Sequence, residues 1–385
     1  MDPKLEKNFP SRSELLEQAK RIIIKIGSST VSSRETGLDH SRIEHLASQM
    51  SDIKKKGKEI IVVSSGAISS GMKILGKKES LKSIPLKQAA AAAGQSRLMW
   101  SYEKSFSFFG ERVAQILLTQ EDLSNRRRFL NSRNTLTVLL EHGIIPIVNE
   151  NDTVAIEEIR FGDNDALAGL VTHLVDAQLL LILSDVDGLF TSDPGTNPSA
   201  TRVPVVTEMT PQIERLASGR TSKEGTGGMQ SKLQTAKKVS GFGVATLIIN
   251  GKSENILERV FQGEEVGTLI LPKGGRKPSR KNWIAHTLRV KGKLFLDEGA
   301  AHALLKGGKS LLSSGILRIN GKFGVGDPVC CIDPDGLEFA KGLVNYSSSD
   351  IDKIKGCKST DIENILGYKD FDEVIHRDNL ALLNP

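Results

Sequence analysis

Six runs of Ile, Val and Leu recur along the first 271 residues, each separated from the next by polar turns or stretches of helical spacing. This alternation restricts the fold more than any other feature of the chain. The runs cover 21–26, 59–64, 113–118, 144–149, 178–184 and 244–250, and amphipathic stretches at 41–55, 85–106, 131–141, 166–173 and 228–240 lie between them. A strand that is apolar throughout, rather than at every second residue, has both faces covered. Strands alternating with helices build a largely parallel sheet. The expected fold for 1–271 is therefore α/β, a mostly parallel open sheet sandwiched by helices. Five consecutive alanines, Ala89 to Ala93, sit inside the second helical stretch. They favour helix and leave room for a close neighbour.

A chain of 385 residues exceeds what one core comfortably holds, about 250–300 residues. The break falls at 272–282, where PKGGRKPSRK has no periodicity and reads as a linker. Beyond it, over 283–385, short runs at 294–296, 315–319, 328–332 and 338–344 alternate with glycine turns, as in a small β-rich barrel or sandwich. No function is evident for 361–385, which is expected to pack on the small domain. The net charge of +6 is interspersed with acidic residues, which suits anionic ligands without indicating nucleic acid. Cys330, Cys331 and Cys357 form neither a disulfide framework nor zinc-ligand spacing, so no metal site is expected from them. The polar stretch 1–20 carries no signal-peptide core and no apolar run approaches a membrane span. A cytoplasmic protein is expected.

In open α/β sheets ligands bind beyond the carboxyl ends of the strands, and the polar, glycine-rich segments of this chain follow the predicted strands there. Lys25-Ile26-Gly27-Ser28-Ser29-Thr30 offers a lysine and a backbone free to approach a phosphate, or simply a tight turn. Ser64-Ser65-Gly66-Ala67 opens a helix; a serine N-cap accounts for part of it, and a carboxylate docking at the helix N-terminus is the functional reading. Asn149-Glu150-Asn151-Asp152 and Gly162-Asp163-Asn164-Asp165 can read an ammonium and a carboxylate, or position Mg²⁺ on phosphates. Ser184-Asp185-Val186-Asp187-Gly188 ends another strand. Gly225-Thr226-Gly227-Gly228-Met229-Gln230-Ser231-Lys232 runs into a helix, a phosphate cradle by physical type.

Competing motifs fail. Gly251-Lys252-Ser253 and Gly308-Lys309-Ser310 lack the leading glycine of a P-loop, and Gly241-Phe242-Gly243 precedes a strand instead of following one. All seven histidines fall outside the glycine-rich clusters. A carboxylate acceptor fits that pattern: it is already ionised at neutral pH and needs no general base.

The ordered set IIIKIGSS, VVSSGAISSG, NENDTVA, GDNDALA, SDVDGLFTSDP and GTGGMQSKLQTA resembles the glutamate 5-kinases of the amino-acid kinase superfamily. The resemblance implies transfer of a phosphoryl group from ATP, with Mg²⁺, to the γ-carboxylate of L-glutamate, opening proline biosynthesis. It implies that Lys25 and Lys232 flank the phosphates and Asp165 orients them. It places glutamate on Ser65, Gly66, Asn149, Asp152 and Asn164. ATP falls to Lys25, Gly27, Ser184, Asp185, Thr226, Gly227, Gly228, Met229, Gln230, Ser231 and Lys232. Feedback inhibition by proline and assembly as a homo-dimer or tetramer belong to the same expectation. Ser64 and Ser184 stand where many relatives have Thr; each keeps the hydroxyl.

The run from about 285 to 358 is similar to the PUA domain, through Leu296-Asp297-Glu298-Gly299-Ala300 and Gly324-Val325-Gly326-Asp327-Pro328-Val329. PUA domains elsewhere bind RNA, but few aromatic stacking platforms are available in this run apart from Phe295, Phe323, Phe339 and Tyr346. A structural or regulatory role is expected instead. Acetylglutamate kinase and aspartokinase are the enzymatic rivals. An RNA-associated protein with a vestigial kinase domain is a further alternative, against which Lys25, Lys232 and Asp165 count.

Overall fold

A computed structural model describes residues 11–33, 37–76, 83–154, 164–217, 228–272 and 290–383. The chain divides into two compact units, Met1–Lys277 and Pro278–Pro385. The linker expected at 272–282 lies, except for Pro272, outside the described residues.

The first unit is built on an eight-stranded sheet: β1 (Arg21–Ile26), β2 (Glu59–Ser64), β3 (Val113–Leu118), β4 (Ile145–Glu150), β5 (Leu179–Ser184), β6 (Val205–Val206), β7 (Ala245–Asn250) and β8 (Thr268–Ile270). Their order is β3-β4-β2-β1-β5-β7-β8-β6, parallel throughout except where β8 runs against β7. All six expected strands are present within a residue or so of their predicted limits. The two short edge strands β6 and β8 have no counterpart in the sequence pattern, because two or three residues give no periodicity. The interior strands β1, β2, β4, β5 and β7 are buried along nearly their whole length, which explains their unbroken apolar character.

Register brings the carboxyl ends of these strands into line: Ile26 pairs with Ser64 and Leu183 follows on the other side, while Ser184 pairs with Asn250. The crossover helices therefore return with their N-termini on that same edge. Helix Asn164–Leu174 precedes β5 and helix Met229–Gly241 precedes β7. The former begins two residues earlier than expected, so Asn164 and Asp165 lie in its first turn and not in a loop.

The alanine run lies in helix Ile84–Ser107, started by Ser83, whose hydroxyl accepts from the Leu86 N–H, with Pro85 in its first turn. This helix packs backbone to backbone on helix Ala67–Ile74. A Cβ built on Gly94 would lie 1.9 Å from the Ala67 carbonyl oxygen, and one on Gly71 1.7 Å from that of Ala90. Neither site has space for any other residue. The two glycines, with the small residues beside them, set the position of Ala67 and of Gly66 before it.

The second unit carries a five-stranded sheet of β9 (Gly292–Leu296), β10 (Ile316–Asn320), β11 (Pro328–Ile332), β12 (Glu338–Leu343) and β13 (Leu380–Leu382), in the order β10-β9-β11-β12-β13. The C-terminal stretch packs on the small unit as expected, and it also adds a strand: β13 pairs antiparallel with β12 and joins the small core through Leu380. Cys330 and Cys331 point to opposite faces of β11 and both are buried, so each packs a covered face. No helix among the described residues is long and apolar enough to cross a membrane.

Gly94→Ala should lower stability by about 1–3 kcal/mol or more, since the added methyl must force two backbones apart. The exposed control Ala92→Gly should cost no more than about 1 kcal/mol, from helix propensity alone. Urea denaturation of the two variants checks this, and equal midpoints would show that the contact is slack.

Candidate active site

Three charged side chains from distant parts of the chain meet at the carboxyl edge of the sheet. Lys25 lies near the end of β1, Asp165 in the first turn of helix Asn164–Leu174, and Lys232 in the first turn of helix Met229–Gly241. The Lys25 ammonium lies 2.5 Å from one Asp165 carboxylate oxygen and that of Lys232 3.1 Å from the other. Asp165 is fully buried and both lysines are nearly so. Burial alone would push the Asp165 carboxyl up, but the two ammoniums outweigh it and hold it below the usual carboxylate range. The cluster is thus two cations pinned by one permanent anion.

Beside it runs a chain of side-chain amides. The Asn164 amide nitrogen donates to the Ser64 carbonyl at 2.9 Å, to the Ser65 hydroxyl at 3.0 Å and to the Asn149 carbonyl oxygen at 2.9 Å. The Asn149 nitrogen donates in turn to Gln95 Oε1 at 2.8 Å. Asn149 and Asn164 are both buried. Below them the Ser64 hydroxyl pairs with the buried Tyr102 hydroxyl at 2.7 Å. Burial raises the Tyr102 phenol well above its ordinary range, keeping it a neutral partner.

The serines do not cap the helix that follows β2, contrary to the expectation for that segment. Its N-cap is Gly66, at φ 115°, with no side-chain bond to the helix. The left-handed backbone turns the chain sharply, so Ser65 is left to the amide network instead. Asp152 follows β4, half-buried, with no hydrogen-bond partner among the described residues. Burial pushes its carboxyl up to about 6.

The sequence-selected residues divide between these places. Lys25, Lys232 and Asp165 form the ion cluster; Ser65, Asn149 and Asn164 form the amide network; Gly66 follows Ser65 in the chain, and Asp152 lies just beyond the end of β4. On the far side of β1, the Ser184 hydroxyl reaches Asp185 at 3.2 Å, and Asp185 is exposed at the strand end. Gly27 lies between, where a Cβ would come within 3.3 Å of the Leu183 carbonyl. Gly228 is the N-cap of helix Met229–Gly241 and makes no side-chain bond to it; among the following residues Met229 is buried, Ser231 half-buried and Gln230 exposed. Thr226 and Gly227 lie outside the described residues.

Sequence reasoning misses Gln95 and Tyr102. Both lie on the buried stripe of helix Ile84–Ser107, with Ala91 and Leu98. A glutamine at a core position of an otherwise small and apolar stripe is the signal that points there. The near-miss P-loops are ordinary turns: Gly308 is a left-handed C-cap and Gly251 follows the end of β7. The described histidines take no part in the cluster or the amide network. His40 bonds Ser101, and His173 stacks on Phe242.

A small-molecule phosphotransferase is what this arrangement suits: fixed cations, a helix N-terminus without a side-chain cap, and a buried network of side-chain amides. Comparison with known proteins agrees. Residues 20–250 match the amino acid kinase family and residues 292–366 the PUA domain. The glutamate 5-kinase of Geobacter sulfurreducens is 52% identical over 372 residues, covering 97% of this chain and 100% of the relative. That of Syntrophus aciditrophicus is 52% identical over 373 residues, with 97% of each chain covered. That of Geobacter sp. strain M21 is 50% identical over 372 residues, covering 97% of this chain and all of the relative. Carrying both the ion cluster and this likeness along almost its full length, the chain belongs to the amino acid kinase family and, within it, to the glutamate 5-kinases.

Proposed function

We propose that the chain transfers the terminal phosphoryl group of ATP to the γ-carboxylate of L-glutamate, giving ADP and L-glutamyl 5-phosphate, the first step of proline biosynthesis. The observation that carries this reading is the Lys25–Asp165–Lys232 cluster beside the amide network. The γ-carboxylate is the nucleophile. It is ionised at neutral pH, so no base is required, and the absence of a histidine from the described part of the cluster has a chemical rationale.

What the reaction does require is that two anions approach. Lys25 and Lys232 supply positive charge at the meeting point. Because Asp165 already fixes both ammoniums, little reorganisation is needed as charge moves from the γ-phosphate toward the leaving oxygen. The N-terminus of helix Met229–Gly241 and the backbone at Gly27 fit phosphates; Ser184 and Asp185 complete the proposed nucleotide side. Bound together with ATP, Mg²⁺ would supply charge neutralisation on the phosphates beside Lys25 and Lys232. Ser65, Gly66, Asn149 and Asn164 take the glutamate carboxylates, and Asp152 takes its ammonium. Dimeric or tetrameric assembly and feedback inhibition by proline complete the reading. The PUA-like unit serves a structural or regulatory purpose rather than tight RNA binding.

Lys232→Ala should lower kcat by about 10²–10³-fold, because its charge acts mainly in the transition state. Hydroxylamine trapping of the acyl phosphate measures it; turnover at the wild-type rate would remove Lys232 from the mechanism.

Asp152 supplies a pH signature. Its folded-state pKa lies above the unfolded value, so the native protein holds this proton more tightly. The stability contribution of the group is greatest at low pH and declines as pH rises from about 4 through about 6. Binding an ammonium needs the opposite, ionised form, so the KM for glutamate should rise as pH falls through about 6. Asp152→Asn should flatten that profile and raise the glutamate KM at pH 8 by about ten- to a hundredfold, the weight of a hydrogen bond between charged groups. It should also raise the Tm of the ligand-free protein at that pH. An equal rise in the KM for ATP would assign the residue to the nucleotide or the fold.

A further inference from the structure

The amide network has a direction, and the direction is fixed by the backbone. Asn164 Nδ2 lies 2.9 Å from the Ser64 carbonyl oxygen, which can only accept. That atom of Asn164 must therefore be its nitrogen. It is also 2.9 Å from Asn149, so the atom it meets there must be an oxygen, and the other end of Asn149 a nitrogen. That nitrogen lies 2.8 Å from Gln95, so the atom it meets is the Gln95 oxygen. Gln95 Nε2 is left as the terminal donor. It is buried, in a residue only 9% exposed, and has no acceptor among the described residues. A buried amide nitrogen without an acceptor is unfavourable, and a native structure that keeps one has a use for it.

On the glutamate reading above, we infer that Gln95 Nε2 donates to the α-carboxylate of the amino acid substrate, which makes Gln95 a further specificity-determining residue. The placement follows from the order of the network. Its first member, Asn164, adjoins Asp165 in sequence and so lies at the lysine cluster, where the reacting γ-carboxylate must be. Gln95 is the last member, two side-chain hydrogen bonds away from Asn164, on the side of Asn149. Asn149 is the penultimate residue of β4 and Asp152 follows three residues on, so the residue proposed for the ammonium leaves the same strand end. The two substituents of the substrate's α-carbon thus meet neighbouring groups, one anion for the ammonium and one neutral donor for the carboxylate.

The test is steady-state kinetics on the full-length protein and two variants, Gln95→Glu and Gln95→Met, with L-glutamate as substrate and isoglutamine, its α-amide, as inhibitor. Gln95→Glu keeps an oxygen to accept from Asn149 but replaces the terminal donor by a negative charge. It should raise the glutamate KM by about ten- to a hundredfold. The KM for ATP and the inhibition constant of isoglutamine should stay within about threefold. Gln95→Met should raise the glutamate KM as well. If only Gln95→Met has an effect, Gln95 serves to hold Asn149, and the assignment is overturned. An equal loss for isoglutamine overturns the α-carboxylate as the group read. Failure of the unmodified protein to phosphorylate L-glutamate overturns the substrate reading and the assignment with it.

Discussion

One buried carboxylate holds the carboxyl edge of the large sheet together. Asp165 lies between two lysines that come from a strand more than a hundred residues before it and a helix more than sixty residues after it. Each of the three is expensive to bury alone, and the removal of one partner from such a cluster costs far more than the intact cluster contributes to stability. The cluster therefore acts less as a source of stability than as a condition on assembly. β1 and two crossover helices must arrive in one register before the charges are satisfied. The parallel order of β2, β1, β5 and β7, with the helices before β5 and β7 starting at the same edge, is what allows that.

The amide network is arranged on the same principle with neutral groups. The orientation of Asn164, Asn149 and Gln95 is inherited from a single main-chain carbonyl at the end of β2. Side-chain amides rotate easily in isolation, and their two ends differ little in size. In this pocket a fixed acceptor removes the choice at each step, so a defined donor faces whatever enters. Neither charge nor flexibility is needed for that discrimination, only burial and sequence of contact.

Much of this is legible in the residues. Continuous apolar runs mark the covered strands, and the positions of Lys25, Asn149, Ser184 and Lys232 at the ends of elements follow from where those runs stop. Three things are not. The edge strands β6 and β8 are too short to carry a period, and β13 depends on a partner strand far from it in sequence. The Ser64-Ser65 pair looks like a helix cap because serine caps are common; the left-handed Gly66 takes that place, which only the backbone angles reveal. Gln95 is hidden by its setting, since a run of alanines draws attention to packing and away from the polar residue that follows it.

The backbone contact between helices Ala67–Ile74 and Ile84–Ser107 has a bearing on how such a chain can change over time. Gly71 and Gly94 have no part in binding glutamate or ATP in the proposed mechanism, yet neither tolerates even one added carbon without moving a main chain. Gly66 and Gln95 sit immediately beside this joint, so a drift at either glycine would displace both borders of the pocket at once. Selection for substrate fit would then be felt at positions remote from the chemistry. Invariance there, across descendants of this sequence, would record the closeness of two backbones and could be mistaken for a catalytic role.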